Sequence, residues 1–254
     1  MRIRLLPSAF ESLSGHQFLT TFLINDTIAI DAGSLGFSAT LAEQRRIRHV
    51  FLSHSHIDHV ASLPLFLENV YTLDDACPKI HAGPATLTAL RQDLFNDRTW
   101  PDFVGLSLVC SPFVVLQELL EGVTVDVESV SITPVSVDHP VPTFGFLVEE
   151  GDRAVVIVTD TGPTRAIWDR VASLDGLEAV FLDASFPDSM AGLASVSRHL
   201  TPALFAAEMA KVRPDVRFLA VHIKAAFRKQ VVRELKALGD SRLEIAVPGK
   251  EYRF

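Results

Sequence analysis

The sequence predicts an α/β fold of the α+β type: one domain across residues 1–254, with helices packed outside two central β-sheets. Three observations carry this. Short β-type runs alternate with helical patterns from end to end. The middle of the chain is a strand meander mixed with helices rather than a strict β-α-β alternation, which suggests two sheets with helices outside them. No Pro/Gly/Ser-rich linker, low-complexity segment or short-period repeat interrupts the pattern.

The elements follow in order. Apolar runs at 18–24 and 27–31 flank Asn25-Asp26, a hairpin signal. Residues 39–48 read as a helix, and 49–53 as a short apolar strand running into a histidine-rich segment. The next helix spans 60–70, kinked or delayed by Pro64. Residues 84–95 read as a helix with Pro84 in its first turn, and 96–112 as a surface loop. Strands are expected at 123–127, 130–137, 143–149 and 154–159, with Glu150-Gly151-Asp152 as a tight turn between the last two. Then come helix 164–173, strand 179–183, helix 202–212, strand 217–221, helix 227–238 and strand 243–247.

Composition narrows the function classes. Hydrophobic residues make up 48% and charged residues 21%, ample for a buried core and unlike a disordered chain. A formal charge of −8 leaves no basic surface to draw the protein to nucleic acid or an anionic membrane, although bound divalent cations would reverse the sign locally. The segment 1–7 has basic residues but no apolar run or cleavage site, and no uncharged apolar stretch has spanning length. Neither a signal peptide nor a transmembrane helix is expected. Cys77 and Cys110, far apart and without a CxxC, suggest free buried thiols in a reducing cytoplasm.

The chemistry concentrates in His54-Ser55-His56-Ile57-Asp58-His59, directly after an apolar strand. On an extended segment His54 and His56 project to one side, because the side-chain period is two. Asp58 and His59 then fall on the turn into the next helix, where they can face a second ion. Imidazole and carboxylate suit zinc first, with manganese or iron also compatible, and no nearby Cys points to a structural zinc knot. His139, Asp160 and His222 each end an apolar strand, where a buried strand delivers its last side chain to a rim. Singly, each reads as a core histidine or a turn residue; beside the cluster they read as further ligands.

In this order these seven residues resemble the ligand series of the metallo-β-lactamase superfamily, and Asp31-Ala32-Gly33 matches its first aspartate. The resemblance implies a four-layer αββα sandwich with its site at the edge of two facing sheets. It also implies two divalent metal ions: His54, His56 and His139 on one, Asp58, His59 and His222 on the other, and Asp160 bridging. An aspartate rather than a cysteine at the bridging position points away from the β-lactamases proper. Asp183-Ala184-Ser185-Phe186 and His199-Leu200-Thr201-Pro202 resemble segments of the phosphodiesterase branch, which contains tRNase Z and the class II cyclic-nucleotide phosphodiesterases. There the acid orients a histidine that protonates the leaving oxygen, roles that would fall to Asp183 and His199. The run 54–65 and Val221-His222-Ile223-Lys224 are similar to the class II signature and its H-[IV]-K segment. Lys224, two residues beyond a ligand, is expected either to reach a phosphate oxygen or to stay solvated.

The expected activity is therefore hydrolysis of 3′,5′-cyclic nucleotides, cyclic AMP first, by attack of a metal-bridging hydroxide. His199, Asp183, Asp58 and Lys224 are the candidate catalytic groups. His16, in the loop 14–17, is a weaker candidate for substrate contact, while His49 and His81 read as ordinary core histidines. Three alternatives stand: an RNA 3′-end endonuclease like tRNase Z, disfavoured by the acidic charge and the lack of a long inserted arm; an ester or lactone metallohydrolase; and a non-catalytic nucleotide- or metal-binding protein, disfavoured by Asp183 and His199. The expected partners are a small phosphodiester and, by the habit of this branch, a second copy of the chain; no membrane is expected.

Overall fold

The computed structural model describes residues 1–8, 15–37, 40–73, 76–172 and 174–254. Strands β1 (Arg2–Leu5), β2 (Phe22–Ile24), β3 (Ile28–Ile30), β4 (His49–Leu52), β5 (Lys79–Ala82) and β6 (Val115–Glu118) form one sheet, which is extended at the β1 edge by a C-terminal strand, Glu251–Arg253. Strands β7 (Val125–Val127), β8 (Val130–Val137), β9 (Thr143–Glu150), β10 (Arg153–Val158), β11 (Leu177–Asp183), β12 (Arg217–Val221) and β13 (Leu243–Ile245) form the second, in the order β13-β12-β11-β10-β9-β8-β7. Both sheets are mixed. Strands β3 to β6 pair parallel, as do β10 to β13, while β7 to β10 form an antiparallel meander.

The period-two alternation of the strands sorts the core into layers. Val155 and Ile157 on β10, Phe181 on β11 and Leu219 on β12 join Phe22, Ile28, Ile30 and Phe51 of the first sheet in an apolar layer between the sheets. Their neighbours Val156, Val158, Val180, Leu182 and Phe218 face the other way. There they pack on Ile167 and Trp168, on Phe205 and Met209, and on Val231 and Leu235. On the far side of the first sheet Val50 and Leu52 meet Leu63, Phe66, Leu67 and Leu87. The result is helix, sheet, sheet, helix, each fully buried large side chain contributing about 1.5–3 kcal/mol.

The helices are α1 (Leu41–Gln44), α2 (Ile57–Val60), α3 (Leu63–Val70), α4 (Pro84–Ala89), α5 (Phe103–Leu106), α6 (Ala166–Val171), α7 (Ala191–Ser197), α8 (Pro202–Met209) and α9 (Arg228–Ala237). Several differ from the sequence reading. Helix α1 is shorter than 39–48: Thr40 and Glu43 cap it reciprocally, and the chain must then turn so that Arg48 can donate to Thr27 O at 3.0 Å and enter β4. The expected ends of two helices, Ala39 and Ser173, and the start of the loop at Ser14, lie outside the described residues. Of the two effects expected of Pro64, a kink or a delay, the helix shows the delay: α3 starts at Leu63 rather than at residue 60, with Pro64 in its first turn, where its missing N–H has no helical partner to lose. The helix expected over 84–95 widens after Ala89 into a π-helical turn, Leu90–Leu94, which lets both Leu90 and Phe95 reach the core. The region 96–112 is not wholly loop: Asp102 caps α5, and Phe103 stacks on Phe113 with ring centroids 4.3 Å apart. Cys110 is exposed and Cys77 partly so, correcting the expectation of buried thiols; Cys110 follows the surface turn that also exposes Leu108 and Val109. No helix among the described residues is long and apolar enough to cross a membrane.

His49 and His81, on neighbouring parallel strands, hydrogen-bond through Nδ1 and Nε2 at 3.0 Å, and His81 stacks on Phe51. Burial, aided by repulsion from His49 and Lys79, pushes His81 down to about 4 from 6.5. Between those values the unfolded chain takes up a proton that the fold refuses. The stabilisation is therefore complete above about pH 6.5 and is lost as pH falls toward 4, on the order of 3 kcal/mol at most. We predict that chelator-treated His81→Phe protein loses less melting temperature between pH 7 and 4.5 than the parent. Parallel melting curves would count against this role for His81.

Candidate metal centre

Strands β8 and β10 both run antiparallel to β9, and β11 and β12 run parallel to β10, so all four end at one edge. His139, Asp160, Asp183 and His222 are delivered there. From the facing sheet, β3 leads into Asp31 and β4 into Ser53-His54, and Phe144 N donates to Ser53 O at 3.1 Å across the two sheets. The C-terminal edge of parallel strands is the usual place for ligand sites in α/β folds.

The remaining donors come from the short helix α2. Its carbonyls are tied down by the backbone: Thr20 N donates to Asp58 O at 2.8 Å and Ala32 N to His59 O at 2.7 Å. This approach requires glycine at position 33, because a Cβ there would stand 2.0 Å from Asp58 O. Asp31 and His222 both adopt left-handed backbone conformations, φ 60° and 57°. At His222 the backbone N–H donates to Gln17 Oε1 at 2.9 Å. Strain of this kind persists where the surroundings over-determine the residue.

The seven expected donors come together. His54, His56, His139 and Asp160 offer ligand atoms all within 4.8 Å of one another, as do Asp58, His59 and His222, and as do Asp160, His199 and His222. His139 Nε2 lies 3.2 Å from His56 Nδ1, and His222 Nε2 lies 3.1 Å from Asp58 Oδ2. Asp160 stands between the groups. Its Oδ1 is 3.2 Å from His59 Nε2 and 3.4 Å from His222 Nε2, and its Oδ2 is 3.8 Å from both His54 Nε2 and His139 Nε2.

The donor set fits divalent cations. His54 Nε2, His59 Nε2 and Asp160 Oδ1 are buried and make no hydrogen bond within the protein, a costly arrangement unless something else satisfies them. Tetrahedral ligands at ~2.0–2.2 Å from an ion stand about 3.4 Å from one another, close to the spacings seen. Protonation also suits: in the metal-free protein burial pushes His54 well below the usual histidine range, moves His56 down, and takes His139 down to about 4. Each can then offer a lone pair. Burial opposes charge on Asp58 and Asp160 as well, but the adjacent histidines outweigh it and hold both carboxylates ionised, His222 foremost in each case. His59 goes the other way, raised against its burial by Asp160 and Asp31, so cation binding there must displace a proton.

Asp183 and His199 are paired at the same edge, His199 Nδ1 2.5 Å from Asp183 Oδ2. The His199 ring stacks on His222 with centroids 5.4 Å apart. Burial lowers its proton affinity, yet the Asp183 carboxylate more than compensates, and His199 is raised above its ordinary value. Lys224 Nζ lies 3.3 Å from His222 Nε2 and 3.5 Å from Asp58 Oδ2. His16 is not part of these groups; it stacks on Phe18, and its neighbour Gln17 makes the contact to His222. Sequence reasoning centred on ionisable groups passes over Gln17, Ser53 and Ser185. The available signal was their position within two residues of His16, His54 and Asp183.

This fold and cluster define the class: the chain belongs to the beta-lactamase superfamily, residues 26–223 matching the family described as the Beta-lactamase superfamily domain. Among individual proteins, a Ribonuclease Z of Mycobacterium sp. (strain KMS) is 32% identical over 184 residues, 68% of this chain and 59% of the relative. A "Probable 3′,5′-cyclic-nucleotide phosphodiesterase" of Yersinia pestis is 26% identical over 234 residues, 79% of this chain and 66% of the relative. The crystal structure of unliganded yeast PDE1 superposes with a TM-score of 0.78 at 15% identity, covering 98% of each chain, a likeness of fold. The chain spans 59% of the length of the mycobacterial relative.

Proposed function

We propose that the chain is a metal-dependent phosphodiesterase acting on 3′,5′-cyclic nucleotides, cyclic AMP first. The observation that carries this reading is a buried proton donor beside the metal-type cluster: His199, held by Asp183 at 2.5 Å and stacked on His222. The cluster alone suits hydrolysis of many kinds; a histidine facing it and held by a carboxylate suits a poor leaving group such as an alkoxide. His54, His56 and His139 would hold one ion, Asp58, His59 and His222 the other, and Asp160 both, with zinc favoured by the donor set. Divalent cations there supply Lewis-acid stabilisation of phosphoryl charge and make water acidic enough to ionise near neutral pH. The protein's own groups do the rest. Asp183 accepts from His199 Nδ1, so the proton on Nε2 is the one available to the 3′ oxygen as its bond to phosphorus breaks. Lys224, at the edge of the site, places a further positive charge within reach of a non-bridging oxygen.

The Yersinia relative, matched along 79% of this chain, supports the cyclic-nucleotide reading. The mycobacterial Ribonuclease Z supports a second, cleavage at RNA 3′ ends, against which stands the net charge of −8. The test is a panel of 3′,5′-cyclic mononucleotides, cyclic dinucleotides and precursor tRNA, assayed with metal-replete and chelated protein. Turnover of cyclic mononucleotides, abolished by chelation and restored by zinc, is the expected result. Faster cleavage of precursor tRNA would replace this reading with the second.

A further inference from the structure

We propose that Ser53 and Ser185 are equivalent positioning residues, each joining a buried aspartate to two histidines so that the histidines present Nε2 to the centre. The inference rests on reading the cluster as a metal centre and concerns what holds its ligands.

The two arrangements share the same pattern of serine, aspartate and histidine contacts, although one is built on the first sheet and the other on the second. In the first, Ser53 N donates to Asp31 Oδ1 at 2.8 Å, and Ser53 Oγ lies 2.9 Å from each Asp31 oxygen, 3.0 Å from His54 Nδ1 and 3.3 Å from His59 Nδ1. His59 Nδ1 reaches Asp31 Oδ2 directly at 2.7 Å. In the second, Ser185 N donates to Asp183 Oδ1 at 2.8 Å. Ser185 Oγ lies 2.7 Å from Asp183 Oδ1 and 3.1 Å from both His199 Nδ1 and His222 Nδ1. His199 Nδ1 reaches Asp183 Oδ2 directly. Both serines and both aspartates are buried.

The proton count follows from the shortest contacts, Ser185 Oγ lying 2.7 Å from Asp183 Oδ1 against 3.1 Å from the His222 carbonyl oxygen. A histidine that offers its Nε2 lone pair to a cation carries its proton on Nδ1. His59 and His199 donate that proton straight to a carboxylate. His54 and His222 have no carboxylate at Nδ1; each meets a serine oxygen, which must accept. A hydroxyl has one hydrogen to give, and in each case an aspartate oxygen stands within 2.9 Å to take it. Two chains follow, His54 to Ser53 to Asp31 and His222 to Ser185 to Asp183. The second ties a metal ligand and the candidate proton donor His199 to one carboxylate. Hydrogen bonds of this kind fix ring orientation and raise ligand basicity, and their loss typically costs about 10–100-fold in metal affinity.

The test uses the whole chain and zinc ion alone as the probe, with affinity measured by competition against a chromophoric chelator. Ser53→Ala and Ser185→Ala should each lose about 10–100-fold in zinc affinity, and Ser185→Thr, which keeps the hydroxyl, should recover most of it. Affinity within about threefold of the parent in both folded alanine variants would overturn the proposal. If an alanine variant does not fold, long-range proton–nitrogen spectra of histidine-labelled parent protein decide instead. His54 and His222 in the Nδ1–H tautomer are expected, and the Nε2–H tautomer at either overturns the proposal. A parent protein that binds no zinc would instead remove the reading of the cluster on which the inference rests.

Discussion

Asp160→Ala should abolish tight divalent-metal binding, and with it turnover. Among the described residues Asp160 is the only carboxylate common to two of the donor groups, and its two oxygens lie 3.2–3.8 Å from the Nε2 atoms of His54, His59, His139 and His222. It is also nearly inaccessible, 2% exposed, so solvent screens its charge little. Removing an outer hydrogen-bond partner of a ligand costs about 10–100-fold in metal affinity; removing a ligand shared between two ions should cost more than that. Asp160→Asn, which keeps the shape but not the charge, should be nearly as damaged. Metal content after dialysis, with zinc affinity by competition, measures the loss. An alanine variant that keeps two equivalents of tightly held metal would show that Asp160 does not bridge.

His199→Ala separates binding from proton transfer. The variant should keep both metals, because His199 is not needed to complete either of the groups at His54-His56-His139 and Asp58-His59-His222. Turnover of a 3′,5′-cyclic nucleotide should fall by about a hundred- to ten-thousandfold, the usual worth of a general acid. Bis-(p-nitrophenyl) phosphate, whose leaving group needs little protonation, should be largely spared. The pH profile carries the same information. Asp183 raises His199 against its burial, so activity on the cyclic nucleotide should decline as pH rises through that raised value. The alkaline limb should be missing in His199→Ala. Equal losses on both substrates would remove His199 from the chemistry.

Much of the fold was legible because long apolar runs alternate with period two. The strands at 130–137 and 217–221 match β8 and β12 residue for residue. The hairpin at Asn25-Asp26 was legible because these two residues tolerate the left-handed conformation they adopt, φ 49° and 65°. The less legible elements owe their form to contacts across the chain. β1 has only four residues and the C-terminal strand three; each is held by the other, and Met1 N donates to Phe254 O at 2.7 Å. The π-helical turn at Leu90–Leu94 was hidden because a helical apolar pattern does not report how many residues its last turn contains. Helix α7 is hard to read for another reason: its larger apolar residues Leu193 and Val196 are exposed, and the small Ala194 is what it buries.

At the site, the sequence alone determined which donors are present and where along the strands they stand. His54 and His56 share a side because the chain is extended there, and His139, Asp160 and His222 each follow an apolar strand. Those are properties of neighbours in the chain. The tertiary structure decided the rest: that four strand ends from one sheet and two from the other meet at one edge, that Asp160 lies between four histidines, and that Ser53 and Ser185 stand behind the clustered histidines. These depend on strand direction, pairing order and the packing of one sheet on the other. Such relations come from apolar burial between residues far apart in the chain, and no local pattern encodes them.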